Sequence, residues 1–256
     1  SGYWVPPYKF LDYFSFRING IWLNQSSLDA VEYGDNLVYH HKTDSLIVHE
    51  EITTPEEFPG FKVMLKLENK TSDRKAVQIA LETGFDIRSK DNDVEEGDYR
   101  VENNGERILV ERNGKKIVLE SDDISGFEGN RFTKEHYPGD KQVCQVPENP
   151  VFRKEIDGGE KEVIEIEFKT SDGSFDSIKS VENSLEHELG RSFKSSIDSL
   201  ENMIYSRNGT GIIAGHPWFQ SYWARDSFWS VLGLIDAGYF EVSEKILENF
   251  ADRDLP

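Results

Sequence analysis

Phe61-Lys62-Val63-Met64-Leu65-Lys66-Leu67 is the stretch on which the fold turns. Phe61, Val63, Leu65 and Leu67 alternate with mostly polar positions, the period of a strand with one buried face. The alternation resumes at Val77, Ile79 and Leu81 after the turn-rich Asn69-Lys70-Thr71-Ser72-Asp73, so the two runs read as a hairpin. The same pattern extends outward in both directions. Asn19-Gly20 separates the apolar runs 14–18 and 21–23, and Asn104-Gly105 and Asn113-Gly114 flank a run holding Ile108 and Val110. Asn-Gly readily takes the positive φ angles of a tight hairpin turn. Asp157-Gly158-Gly159 precedes Ile164, Ile166 and Phe168, which alternate again. From about residue 10 to residue 168, many short strands with close turn signals predict an antiparallel β-sandwich rather than a parallel sheet with helices.

The period then changes. Phe175, Ile178, Val181, Leu185, Leu189, Phe193, Ile197, Leu200 and Ile204 recur every three or four residues, one apolar stripe on a long helix. Ser174 suits its N-cap and Asn208-Gly209 its end. The spacing is mostly fours, which argues against a coiled-coil heptad. A further helix reads over 227–237 with Gly238 as its stop, and another over 242–251 with Val242, Ile246, Leu247 and Phe250 on one side. Two short helices cannot bury their own apolar faces, so this part reads as the beginning of a larger all-α domain. The expected class is mainly β: a sandwich over 1–172, a linker helix over 173–208 and the first helices of a helical domain over 209–256.

Composition narrows the function. The chain has 256 residues, 37% of them hydrophobic, with 16 Phe, 10 Tyr and 5 Trp, enough apolar mass for a packed core. No apolar run is long enough to span a bilayer, and no charged-then-apolar signal segment opens the chain. The net charge is −19, from 48 acidic and 29 basic residues. That field repels nucleic acid and anionic membrane surfaces and leaves a neutral polysaccharide unaffected. The single cysteine, Cys144, cannot form an internal disulfide, which favours a reducing, cytoplasmic setting. It has no identifiable His base and reads as a bystander. Triplets of the N-glycosylation type begin at Asn24, Asn69 and Asn208, but such triplets arise often by chance. His40, His41 and His49 lack metal-ligand spacing. No metal and no cofactor are expected, and nothing in the sequence specifies an oligomeric state.

The chemistry concentrates in Gly211-Ile212-Ile213-Ala214-Gly215-His216-Pro217-Trp218-Phe219-Gln220-Ser221-Tyr222-Trp223-Ala224-Arg225-Asp226-Ser227. Aromatic rings offer flat apolar faces that match the C–H faces of a sugar. An adjacent Arg and Asp can donate to and accept from a pair of sugar hydroxyls. Asp226 equally suits a helix N-cap, with Arg225 as its ion-pair partner, and composition leaves both roles open.

The string from Ala214 to Phe219 followed by Trp223-Ala224-Arg225-Asp226-Ser227 resembles the loop of amylo-α-1,6-glucosidases, the glycogen-debranching relatives of glucoamylases. Ala224 departs from the commoner Gly. The opening Trp4-Val5-Pro6-Pro7, Leu11-Asp12 and the Asn19-Gly20 turn also look similar to that family's N-terminal sandwich, of the supersandwich kind. The resemblance implies a catalytic (α/α)6 barrel of paired helices, of which this chain holds only the first, truncated part. It implies removal of α-1,6-linked glucose from glycogen, limit dextrin or related branched α-glucans by inverting hydrolysis. Arg225 and Asp226 would hold the glucose at the cleavage point, with Trp218, Phe219 and Trp223 shaping the pocket and His216 at a variable position. Inversion needs an acid and a base carboxyl about 6.5–9.5 Å apart. Nothing before Pro256 matches them, so both are expected later in the chain and the fragment alone is expected to be inactive. A glucan-binding or scaffolding sandwich is the non-catalytic alternative. Disaccharide phosphorylases and other α-glucosidases share the sandwich-plus-barrel plan with different chemistry.

Overall fold

The computed structural model describes residues 2–5, 8–34, 36–55, 57–89, 97–135, 143–171, 188–206, 209–215 and 219–251, without the side chains of 188–193 and 220. The chain divides into two units, Ser1–Ser174 and Phe175–Pro256. The first carries β1 (Tyr3–Val5), β2 (Tyr8–Ile18), β3 (Ile21–Trp22), β4 (Leu28–Tyr33), β5 (Leu37–Lys42), β6 (Leu46–Thr53), β7 (Gly60–Asn69) and β8 (Lys75–Ser89). It continues with β9 (Arg100–Asn103), β10 (Arg107–Arg112), β11 (Lys115–Glu120), β12 (Ile124–Glu128), β13 (Phe132–Glu135), β14 (Val143–Val146), β15 (Asn149–Ile156) and β16 (Lys161–Thr170). One sheet runs β1-β2-β8-β14-β13, with β3 beside β2 and the β12-β15 pair beside β8. The other runs β4-β5-β6-β7-β16-β11-β10-β9. The chain is thus mainly β, with antiparallel sheets and few helices.

The alternation in sequence is the reason. Phe61, Val63, Leu65 and Leu67 of β7 are buried, as are Ile164, Ile166 and Phe168 of β16 and Val77, Ile79 and Leu81 of β8. Phe61 stacks on Phe168 at 4.4 Å between ring centroids. Phe14 of the first sheet lies 5.9 Å from Phe61 and 5.8 Å from Phe168 of the second. Fully burying one such side chain contributes about 1.5–3 kcal/mol. The Asn-Gly turns behave as hairpin corners: Asn19 and Gly20 have φ of 47° and 86°, and Asn113 and Gly114 have 50° and 75°.

The hairpin expected from 61–81 does not form. β7 pairs with β6 and β16, whereas β8 pairs with β2 and β15 in the opposite sheet. The turn between them carries the chain from one sheet to the other. Asn69 explains the difference. Its side chain is fully buried, and Nδ2 donates to Asp73 O at 2.8 Å and Ile156 O at 2.9 Å. Oδ1 accepts from the Thr71 amide at 3.0 Å and hydroxyl at 2.8 Å. The Asn69 amide donates to Glu160 O, and Gly159 N donates to Asn69 O, each at 3.0 Å. A second crossing, from β15 to β16, therefore lies against the first. Gly158 fits there because a Cβ would stand 2.3 Å from Ser72 O. Burial also removes Asn69 as a glycosylation site.

A buried charged cluster joins β2, β8 and β14. Lys9 Nζ bonds Asp12 and lies 2.9 Å from Asp86 Oδ2, which also meets Arg88 Nε at 2.9 Å. The Cys144 thiol faces Asp12 Oδ2 at 3.6 Å, and burial first, then Asp12 and Asp86, push it up to about 12. Cys144 is thus an inert buried thiol. At the sheet margin, β4 is bulged between Leu28 and Ala30, with Asp29 and Glu32 exposed and Asp29 paired to Lys42 at 2.6 Å.

Two outcomes follow from the sandwich. Asn69→Ala leaves the Asp73 and Ile156 carbonyls at the crossings short of a donor and should lower the unfolding free energy of the first unit by roughly 2–4 kcal/mol in urea titration. Cys144 should resist an aromatic disulfide reagent at neutral pH in the native protein and react fully in denaturant.

Candidate functional site

The second unit holds α1 (Glu188–Glu201), β17 (Ile204–Tyr205), β18 (Gly211–Gly215), β19 (Phe219–Tyr222), α2 (Ala224–Asp236) and α3 (Phe240–Ala251). The long helix expected over 173–208 is described from Glu188 onward and ends at Glu201, not at Asn208-Gly209; its first half, including Ser174, lies outside the described residues. Asn202 N donates to Asp198 O and Met203 N to Leu200 O, closing a last tight turn. Ile204, expected on the helix stripe, instead pairs with Ile212 in the sheet β17-β18-β19. A β-branched residue at that position serves either pattern, and pairing with β18 decides it. Ile197 of this helix is buried with Ile204, Ile212, Val231, Leu234, Tyr239 and Ile246.

This core positions the aromatic loop. Gly211 and Tyr205 face each other across β17-β18, and Ile213 faces Tyr222 across β18-β19. The Tyr222 hydroxyl donates to Tyr205 O at 2.8 Å and to Gly209 O at 3.2 Å. A Cβ on Gly211 would meet the Tyr222 ring at 2.5 Å, so glycine lets the ring lie flat on the strand. Asn249 of α3 donates to Thr210 O at 2.8 Å, and Ser227 of α2 donates to Ile212 O at 3.3 Å from a fully buried position. β18 and the residue before it are therefore tied to both α2 and α3.

The sequence-derived site residues fall as follows. Phe219 and Trp223 are exposed, at 59% and 53%. Arg225 and Asp226 are brought together, with Arg225 Nε 4.0 Å from Asp226 Oδ2, the outer edge of an ion pair. Arg225 is open to solvent and Asp226 about one-third exposed. His216 and Trp218 lie outside the described residues. The helix expected over 227–237 begins three residues earlier, at Ala224. Its N-cap is Trp223, which makes no side-chain capping hydrogen bond. Asp226 is thus inside the first turn and is not the N-cap. A carboxylate there is favoured by the helix dipole, and among the described residues it is left without a capping bond.

Sequence reasoning missed one feature of this unit. Trp229, Leu232, Ile235, Phe240 and Leu247 of α2 and α3 are exposed, Trp229 at 73%. Only Leu247 stood on the expected inward side of α3. The signal was present as apolar residues on both flanks of each helix, more than one packed side can bury. On the sandwich, a groove of about 650 Å³ is lined by Asn104, Arg107, Ser121 and several carboxylates. Lys62 and Lys169 pair with its Glu165, Glu167 and Glu120, so it reads as a solvated charged face.

Residues 181–254 match the family described as Amylo-alpha-1,6-glucosidase, a span that contains the whole aromatic loop. Among solved structures the chain is similar to a candidate kojibiose phosphorylase from human microbiome, at 8% identity and a TM-score of 0.36. That likeness covers 76% of this chain and 25% of that one, so the chain spans a quarter of its length. No curated protein matches the sequence. Among the described residues, no helix is long and apolar enough to cross a membrane.

Tyr222→Phe removes the hydroxyl that ties Tyr205 and Gly209 to β19. It should cost about 1 kcal/mol and speed amide exchange at Gly211 and Ile212 about fivefold, while leaving exchange in β7 and β16 unchanged.

Proposed function

We propose that this chain is the N-terminal part of a glycoside hydrolase that removes α-1,6-linked glucose from glycogen or related branched α-glucans by inverting hydrolysis. The observation that carries the reading is the family match over 181–254, which contains the loop ending in Trp223-Ala224-Arg225-Asp226. The geometry supports it in two ways. Asp226 is not spent on capping α2, so its carboxylate and the Arg225 guanidinium remain open for hydroxyls. Phe219 and Trp223 expose apolar rings on the same segment, the surface that sugar C–H faces prefer.

In this reading 1–172 is the sandwich, 173–208 contains the connecting helix, and 209–256 begins an (α/α)6 barrel. The bare flanks of α2 and α3 at Trp229, Leu232 and Phe240 support a helical domain larger than this segment. Arg225 and Asp226 bind and orient the non-reducing glucose. Phe219 and Trp223, with Trp218 and His216, wall the pocket. Asp226 is a substrate ligand and not the general base; the acid and base stand beyond Pro256. The substrate is neutral, so the −19 charge does not hinder its approach.

The test is glucose release from branched limit dextrin, with and without phosphate, by the 256-residue chain and by a version extended past Pro256. The extended protein should release free glucose without phosphate, and the shorter chain should release none. In the extended protein, Asp226→Ala should lower kcat/KM by roughly 10- to 100-fold, the range for losing a charged hydrogen bond, with the melting temperature held. Phosphate-dependent release of glucose 1-phosphate, or a drop in melting temperature with full specific activity, would defeat this assignment.

A further inference from the structure

His40 and His49 face one another in the β5-β6 register. Their Nδ1 atoms are 2.6 Å apart, and the rings meet at 81° with centroids 4.7 Å apart. Two bare lone pairs repel at that distance, and so do two N–H bonds. One positive particle must lie between the nitrogens. The separation says which. A Zn²⁺ held by both at about 2.0–2.1 Å in tetrahedral geometry would spread the nitrogens to about 3.3 Å. A single N–H···N hydrogen bond suits the closer approach. Among the described residues no third His, Cys, Asp or Glu joins the pair in a metal-binding group.

The outer nitrogen of His40 adds a second constraint. Nε2 lies 3.2 Å from Glu32 Oε1 of β4 without forming a hydrogen bond to it, and the negative charge at that distance favours a proton on that atom. The remaining charges nearby are already matched: Lys66 of β7 bonds Glu51 of β6, and Lys161 of β16 lies 3.0 Å from Glu68 of β7. His41 is bonded to Ser27 at 3.0 Å. Four ring nitrogens then allow a simple inventory. The neutral pair holds two protons, one on His40 Nε2 and one between the Nδ1 atoms. A third proton goes to His49 Nε2 without disturbing the contact. A fourth would set two N–H bonds against each other.

We propose that His40 and His49 share one proton across β5 and β6 and part when the pair becomes doubly charged, so that their contact is a pH-sensitive latch on the β4-β5 margin of the sheet. Burial first, and then the neighbouring His40, hold His49 below the ordinary imidazole value. Burial first, and then His40, act on His41 in the same direction. Groups lowered on folding contribute stability above their unfolded value near 6.5, and that stability is lost as pH falls through the folded value. The latch therefore opens on the acid side.

Proton–carbon NMR of the histidine rings in the 256-residue chain, from pH 8 to pH 4, reads this directly. His40 and His49 should titrate as a coupled pair in two steps. The second should lie at least about one pH unit below the ordinary 6.5, with β5 and β6 amide signals moving in that step. In His49→Gln, His40 should titrate in one step, and the low-pH movement of the β5 and β6 amides should vanish. Independent single steps near 6.5 in the parent protein, or a His40 curve unchanged by His49→Gln, would overturn the proposal. So would equimolar Zn²⁺ shifting both rings at pH 7, which would make the shared particle a metal ion.

Discussion

The carboxamide of Asn69 is the constraint on which the sandwich depends. Two sheets joined by continuous chain must let that chain cross between them, and the crossings leave strand carbonyls without ladder partners. Asn69 supplies those partners at both crossings at once, reaching Asp73 on one and Ile156 on the other. A buried amide that spends donors and acceptor alike is satisfied rather than costly. With this corner held, the alternating faces of β7 and β8 turn toward each other instead of lying side by side. Phe14, Phe61 and Phe168 meet in the layer that results.

The second unit solves a smaller problem with the same economy. A three-stranded ribbon cannot bury much alone, so Ile204 and Ile212 rest on Val231, Leu234 and Ile246 of the helices. The Arg225-Asp226 pair thereby stands in the first turn of α2, on a helix that Ser227 ties to β18. The tether is polar as well as apolar, through Tyr222, Ser227 and Asn249.

Much of this was legible from residues alone. The period-two runs marked the strands, and Asn19-Gly20 and Asn113-Gly114 marked true hairpin corners, because positive φ is a local property of those residues. Partner choice was not legible. The pattern around Leu65 and Ile79 is the same whether β7 and β8 pair or face each other, and only the burial of Asn69 separates the cases. Ile204 fitted the helix stripe by spacing, yet its strand pairing depends on Ile212, which no local signal announces. Asp226 read as a possible cap because it is a good capping residue. The actual cap, Trp223, has no capping side chain, so nothing in the sequence marked the true start of α2. The family resemblance, by contrast, rested on contiguous residues and survives over 181–254.

The bulged, charged outer strand β4 has a consequence for crowded solutions. A sheet margin offers unpaired amides and carbonyls to any passing extended chain. Here an incoming strand would have to strip water from Asp29 and Glu32, and would find its hydrogen-bond spacing broken between Leu28 and Ala30. The bulge and the exposed carboxylates of β4 thus disfavour strand-to-strand pairing between neighbouring molecules at this margin of the eight-stranded sheet.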